Sequence, residues 1–327
     1  MLAELNQNIL KLLHKKLAER TQNFLGFPVS KDFDYLELLP FFQYPLNNLG
    51  DPFTESTYGV DTKEMEREVI HFFARLFRAE PGDYWGYVTN GGSEGNLYGL
   101  YVARELYPKA MVYYSAATHY SVQKNIHLLG MPSIVIKTQP SGEIDYDDFA
   151  NALKLNRHLP AIVLANIGTT MTEARDQVFN LKRILKENAV QQHYIHSDGA
   201  LSGGYSAFLD PRPSFDFKDG ADSIAISGHK FFGAPFPFGL VLVKKNNRDR
   251  ISKTITGSRN GLGPLFLWYR INCLGVEGLK KRILHSLEMA EYAKEQLVEA
   301  GIPAWKNPNT FTVIFPTPSE AIKLKWQ

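Results

Sequence analysis

The sequence predicts an α/β protein with a largely parallel sheet flanked by helices, followed by a smaller C-terminal α+β part. Three observations carry this expectation. Short β-rich runs alternate with helical patterns from Asp61 onward. Polar, glycine-bearing segments follow several of those runs. The chain has 327 residues, of which 44% are hydrophobic and 21% charged, the balance of a globular protein with a sizeable core.

Leu2, Leu5, Ile9, Leu10, Leu13 and Leu17 recur at three- and four-residue steps, the spacing of one helix face. Such a stripe is expected to be buried, either against the core or against a second subunit, and a homodimer is expected. Asp61 or Thr62 is placed to cap a helix whose apolar face is Met65, Val69, Ile70, Phe73 and Phe77. Strands are expected at Met111 to Tyr114, Ile134 to Ile136, Ala161 to Ile167, Tyr194 to His196, Ser223 to Ile226 and Leu240 to Val243. A helical pattern runs from Val276 to Ala300, and a strand-like run covers Thr310 to Phe315. The expected division is an N-terminal helical segment (1–50), a large domain (51–274) and a small C-terminal domain (275–327).

Composition excludes several function classes. Lys and Arg exceed Asp and Glu by only two and are scattered, which speaks against a nucleic-acid partner. Cys273 is the sole cysteine, so an intramolecular disulfide is impossible, a cysteine metal site is not expected, and a reducing compartment fits. Glu4, Lys11, His14, Lys15 and Lys16 interrupt the N-terminal leucines, and no apolar stretch is long enough to cross a bilayer. A cytoplasmic protein without membrane or metal is expected.

In parallel sheets ligands sit beyond the carboxyl ends of the strands. Ser227-Gly228-His229-Lys230 lies there, after Ser223 to Ile226 and before Phe231-Phe232-Gly233. A lysine among apolar neighbours can be desolvated, which lowers its pKa and frees a nucleophilic amine; the plain alternative is a loop lysine in solvent. Asn90-Gly91-Gly92-Ser93-Glu94-Gly95-Asn96 precedes a helical pattern from Leu97 to Leu106, so it is either a phosphate cradle or a simple glycine turn. Asp198, in His196-Ser197-Asp198-Gly199-Ala200, could hold a proton on a heterocyclic nitrogen or merely cap a helix. His119, in Thr118-His119-Tyr120-Ser121, could stack on a flat cofactor or cap and pack.

These four segments come in the order glycine turn, His, Asp, Lys, the first beyond the aromatic, strand-like run Tyr84 to Val88 and the others each beyond an expected strand. In that combination the sequence resembles the group II amino-acid decarboxylases that depend on pyridoxal 5′-phosphate (PLP). Within that group it looks most like the histidine decarboxylase and serine decarboxylase branch. Trp85-Gly86-Tyr87-Val88-Thr89-Asn90-Gly91-Gly92, Ser141-Gly142-Glu143-Ile144-Asp145, Asn166-Ile167-Gly168-Thr169-Thr170 and Gly257-Ser258-Arg259-Asn260-Gly261 carry the likeness. So do residues 48–53 and Gly233-Ala234-Pro235-Phe236-Pro237-Phe238-Gly239.

The resemblance implies an aspartate-aminotransferase-like large domain of PLP fold type I and a small C-terminal α+β domain. It implies that Lys230 binds PLP covalently, that Asp198 pairs with the pyridine nitrogen, and that His119 and Ala200 pack on opposite ring faces. Gly92, Ser93, Ser227 and His229 would contact the phosphate, and Thr169 or Thr170 would lie near the ring. The implied reaction is α-decarboxylation of L-histidine to histamine, with L-serine to ethanolamine as the alternative. Residues 48–53 and 264–269 look closer to serine-specific members, whereas residues 115–121 and 141–148 fit histidine-specific members equally well. An aminotransferase or desulfurase on the same fold, and a non-catalytic relative, are the remaining readings.

The sequence departs from the branch in places. Relatives carry an extra stretch with a tyrosine before Thr254-Ile255-Thr256-Gly257, whereas here Ser252 runs straight into Lys253. In related decarboxylases a mobile-loop tyrosine donates the proton at Cα. Leu262 stands where the branch commonly has His, and the end at Gln327 leads us to expect a shortened chain.

Overall fold

One seven-stranded sheet positions everything that follows. The computed structural model describes residues 4–248 and 254–326; Leu2, the Ser252–Lys253 junction and Gln327 lie outside the described residues. The chain begins with α1 (Glu4–Gln22), a 3₁₀ segment (Leu36–Gln43) and α2 (Lys63–Leu76). Next come β1 (Trp85–Thr89), α3 (Gly92–Leu106), β2 (Met111–Ser115), α4 (Tyr120–Leu128) and β3 (Ser133–Ile136). They are followed by α5 (Tyr146–Asn156), β4 (Ala161–Asn166), α6 (Val178–Glu187), β5 (His193–Asp198) and α7 (Gly203–Ser206). The last elements are β6 (Ser223–Ser227), β7 (Gly239–Val243), α8 (Lys245–Arg248), α9 (Leu262–Glu299) and α10 (Glu320–Trp326).

The strands lie in the order β1-β7-β6-β5-β4-β2-β3. Only β7 runs against its neighbours, so β1 points the same way as the parallel block β6-β5-β4-β2-β3. Alternation along the buried strands separates two cores. Val163, Ile195, Ile224 and Leu242 face the cluster shared with α2, α5, α6 and α9, while Ile162, Tyr194 and Val241 face the one shared with α3 and α4. Helices thus cover both faces, as a parallel sheet requires.

The elements form for local reasons. Asp61 Oδ1 accepts the Lys63 N–H at 3.1 Å at the start of α2, and Val69, Ile70, Phe73 and Phe77 of its inner face are buried. Arg259 and Glu66 form a fully buried ion pair that also engages Gly50 O, and Asn48 Nδ2 donates to Glu66 at 2.8 Å. This network ties residues 48–50 to α2 and to the start of α9.

The structure narrows one expectation, corrects a second and extends a third. The stripe of α1 does not pack on the chain's own core, since Ile9, Leu10, Leu13 and Leu17 are about half exposed, at 47–55%. Thr310 to Phe315 is not a strand: one bridge, Trp305 to Ile314, is all that forms, because the Phe311 and Thr312 N–H groups donate to the buried Glu173 carboxylate at 3.0 and 2.8 Å. The helix expected from Val276 to Ala300 is present as the part of α9 beyond Gly275 (φ 61, ψ −179), whose backbone breaks the helical geometry, and a further helical stretch that the sequence reading did not assign precedes it from Leu262.

Candidate active site

Because β1, β2, β5 and β6 point one way, the segments that follow them leave the sheet at one edge. Asp198 is the last residue of β5, Lys230 follows the end of β6, His119 follows β2, and the glycine turn follows β1. Their charges act on one another. Burial lowers the Lys230 amine, against the pull of the Asp198 anion. Burial raises the Asp198 carboxyl, opposed by the Ala200 N–H, the Lys230 charge, the Asn96 amide and His119. His119 is lowered by burial, with Asp198 opposing and Lys230 reinforcing that shift. The expected Lys, Asp and His therefore share one electrostatic neighbourhood.

The glycine turn is built to bring α3 close to the sheet. Gly91, at φ 149, holds a backbone that other residues rarely adopt. Glu94, in the first turn of α3, reaches back to the Asn90 N–H at 2.9 Å and takes the Tyr87 hydroxyl at 2.9 Å, an arrangement like a capping box. A Cβ on Gly92 would lie 2.8 Å from both Ala200 Cβ and Ser227 Oγ, and one on Gly95 2.8 Å from Ala225 Cβ. Ser223, Ala225 and Ser227 alternate along β6 and present their small side chains to this helix. The unbonded N–H groups of the first turn, beginning at Gly92, are thereby set beside Ala200 and Ser227, where an anion is favoured.

Asp198 is 6% exposed and has neutral donors on both oxygens. The Ala200 N–H reaches Oδ1 at 3.1 Å and Asn96 Nδ2 reaches Oδ2 at 2.8 Å. Helix capping does not occupy Asp198, since α7 starts after Ser202. Behind Asn96, its Oδ1 lies 2.9 Å from His196 Nε2, and His196 Nδ1 lies 2.6 Å from Ser223 Oγ.

His119 does cap α4: its Nδ1 accepts the Ser121 N–H at 3.3 Å and the Ser121 hydroxyl at 2.7 Å. The remaining proton of the neutral ring is then on Nε2. Asn125 of α4 donates to Ser93 O at 2.9 Å, which joins the His119 helix to the glycine turn. The Ser93 side chain is exposed, Ser227 is buried, and His229 Nδ1 donates to Phe238 O at 3.3 Å. Thr169 is buried and its hydroxyl is engaged with Thr172 and the Ala174 N–H at 3.0 Å each, whereas Thr170 is exposed.

Three residues at this site carry no role in the sequence reading: Asn96, Asn125 and His196. Two of them had a legible signal. Asn96 is one helical turn beyond Gly92 and shares its face, and His196 is two positions before Asp198 on a strand and shares its side. A buried carboxylate, a desolvated lysine and a cradle closed to any Cβ fit PLP, whose ring nitrogen, carbonyl and phosphate need those three partners.

The chain is similar to known proteins over most of its length. Residues 61–304 match the model of the pyridoxal-dependent decarboxylase conserved domain. The chain is 47% identical over 337 aligned positions to a histidine decarboxylase of Mesorhizobium japonicum, covering 100% of this chain and 91% of the relative. It is 45% identical to the histidine decarboxylase of Morganella morganii, covering 91% and 82%. The structure superposes on L-methionine decarboxylase from Streptomyces sp.590 in its internal aldimine form with a TM-score of 0.90 and 28% identity, covering 99% of this chain and 87% of that one.

Proposed function

The chain belongs to the pyridoxal-dependent decarboxylase family, and from that premise we propose that it converts L-histidine to histamine and CO2 at the Lys230 cluster. One observation carries the substrate: 47% identity across the whole chain to a histidine decarboxylase.

PLP, when bound, supplies a carbonyl for amines and a protonated ring that takes up an electron pair from the substrate's Cα. Lys230 would hold it through Nζ, and the burial that lowers this amine's pKa keeps more of it unprotonated and nucleophilic. Asp198 would accept the ring N–H, and its negative charge would keep that proton in place. His119 and Ala200 would line opposite faces of the ring. The Gly92 and Ser93 end of α3, with Ser227 and His229, would hold the phosphate at a helix N-terminus. Decarboxylation then depends on these contacts fixing the Cα–carboxylate bond perpendicular to the ring plane.

We also propose a cytoplasmic homodimer. The exposed apolar stripe of α1, continued by Leu25 and Phe27, supports a second copy as its cover, and the single thiol suits a reducing compartment. Among the described residues no helix is long and apolar enough to cross a membrane.

The test is product analysis with purified protein and added PLP. L-histidine should yield histamine and CO2 in equal amounts, with L-serine and L-methionine turned over far more slowly. Ethanolamine from L-serine as the main product would overturn the substrate, and a keto acid without CO2 would overturn the reaction.

A further inference from the structure

α3, β5 and β6 enclose a line of neutral polar groups behind the Asp198 carboxylate. It runs from Asp198 Oδ2 through the Asn96 amide and the His196 ring to the Ser223 hydroxyl, with steps of 2.8, 2.9 and 2.6 Å. Asn96 is 2% exposed, and His196 and Ser223 are not exposed at all. A neutral imidazole donates from one nitrogen and accepts at the other, so the whole line has a single direction. In one direction Ser223 O–H donates to His196 Nδ1, His196 Nε2–H donates to Asn96 Oδ1, and the Asn96 N–H is left to face Asp198. In the reverse direction the Asn96 carbonyl oxygen faces Asp198, which only a protonated carboxyl tolerates.

The surroundings make this line costly to build without a use. Along the same helix face the contact is between a glycine and an alanine, Gly95 on Ala225, and needs no polar group. A buried polar chain is stable only when every member is satisfied. We infer that Asn96, His196 and Ser223 are positioning residues that fix the direction of this chain and so hold Asp198 as an acceptor toward the ring nitrogen of PLP. The inference rests on the assignment of Asp198 to that nitrogen. Burial supports it by keeping His196 neutral.

A pair of cofactors separates this role from a merely structural one. PLP and deaza-PLP, in which a C–H replaces the ring nitrogen, are titrated into cofactor-free preparations of wild type and of His196→Phe, Asn96→Ala, Ser223→Ala and Asp198→Ala. His196→Phe and Asn96→Ala should weaken PLP binding about tenfold, or about 1.4 kcal/mol, and leave deaza-PLP binding nearly unchanged. Ser223→Ala should shift PLP binding in the same direction by a smaller factor. Equal losses for both cofactors, or no loss for either, would overturn the inference. If Asp198→Ala keeps the wild-type preference for PLP, the assignment of Asp198 itself is wrong. If Asp198→Ala abolishes the preference while the other variants retain it, only the positioning role fails. Should His196→Phe not fold, the ratio of the two affinities in Asn96→Ala and Ser223→Ala decides the matter.

Discussion

Gly99→Ala tests how tightly α3 must sit on the sheet. In an open helix this change would stabilise by about 1 kcal/mol, because alanine is the better helix former. Here the new Cβ would lie 2.5 Å from Cε1 and 3.0 Å from Cγ of the buried His196 ring. Non-bonded carbons sit at about 3.5–4 Å, so the helix must retreat by about 1 Å or the ring must swing. Ser223 and Asn96 hold both ring nitrogens, which makes either movement costly. Overpacking costs about 1–3 kcal/mol, and losing a buried hydrogen bond adds about 1–3 kcal/mol. Set against the helix gain, a net loss of about 1–5 kcal/mol remains. At about 2 °C per kcal/mol for a chain of this size, Tm should fall by about 2–10 °C. PLP affinity should fall with it, since the same helix carries Gly92. Melting curves with and without PLP measure both, and Gly59→Ala, which meets nothing within 4 Å, is the control expected to stay within about 1 °C. A Gly99→Ala protein as stable as wild type and with unchanged PLP affinity would refute the close-approach reasoning.

Further outcomes follow from the same structure. Lys230→Ala should lose its yellow colour on gel filtration and nearly all histamine formation; retained colour and turnover would remove Lys230 from its role. Arg259→Met should lower stability by about 3–5 kcal/mol, because it strands Glu66 as a buried anion, and Arg259→Met with Glu66→Gln should recover part of that loss in urea titrations. Burial pushes His196 down to about 3 from its ordinary value of 6.5, so between those values the unfolded chain binds the proton that the folded chain refuses. Wild type therefore loses stability as pH falls from 6.5 toward 3 in a way His196→Phe does not, and the difference in urea midpoint between the two should shrink on acidification; a constant difference contradicts it.

The strands and the site were legible for different reasons. Ala161 to Ile167 and Ser223 to Ile226 are apolar runs that only a doubly covered sheet can bury, so periodicity sufficed for them. The cluster was legible because a parallel sheet brings its strand ends to one edge, turning sequence order into spatial proximity. The first part of α9 was not, since Gly261, Gly263 and Pro264 obscure a helical start in the sequence, although Pro264 sits in the first turn, where proline is tolerated. Thr310 to Phe315 has strand composition, but its backbone donors are claimed by Glu173, a residue distant in sequence. Asn96 and His196 stand inside quoted motifs, yet nothing local shows that they face each other across two elements.

Asp198 is where folding and function make opposite demands. Burial favours the neutral acid, whereas holding a ring proton requires the anion. Removing a carboxylate from water costs several kcal/mol even after relaxation, and hydrogen bonds from the Ala200 N–H and the Asn96 amide return about 1.5–3 kcal/mol each at best. The Lys230 charge helps, but that amine is itself held down by burial. What completes the balance is a cation directly against the carboxylate, and a protonated pyridine nitrogen is one. If Asp198 pairs with the ring nitrogen as proposed, binding of the ring would favour its ionisation. On that proposal, the buried His196 ring and the Ser223 hydroxyl would serve to set the direction of the Asn96 amide toward this carboxylate.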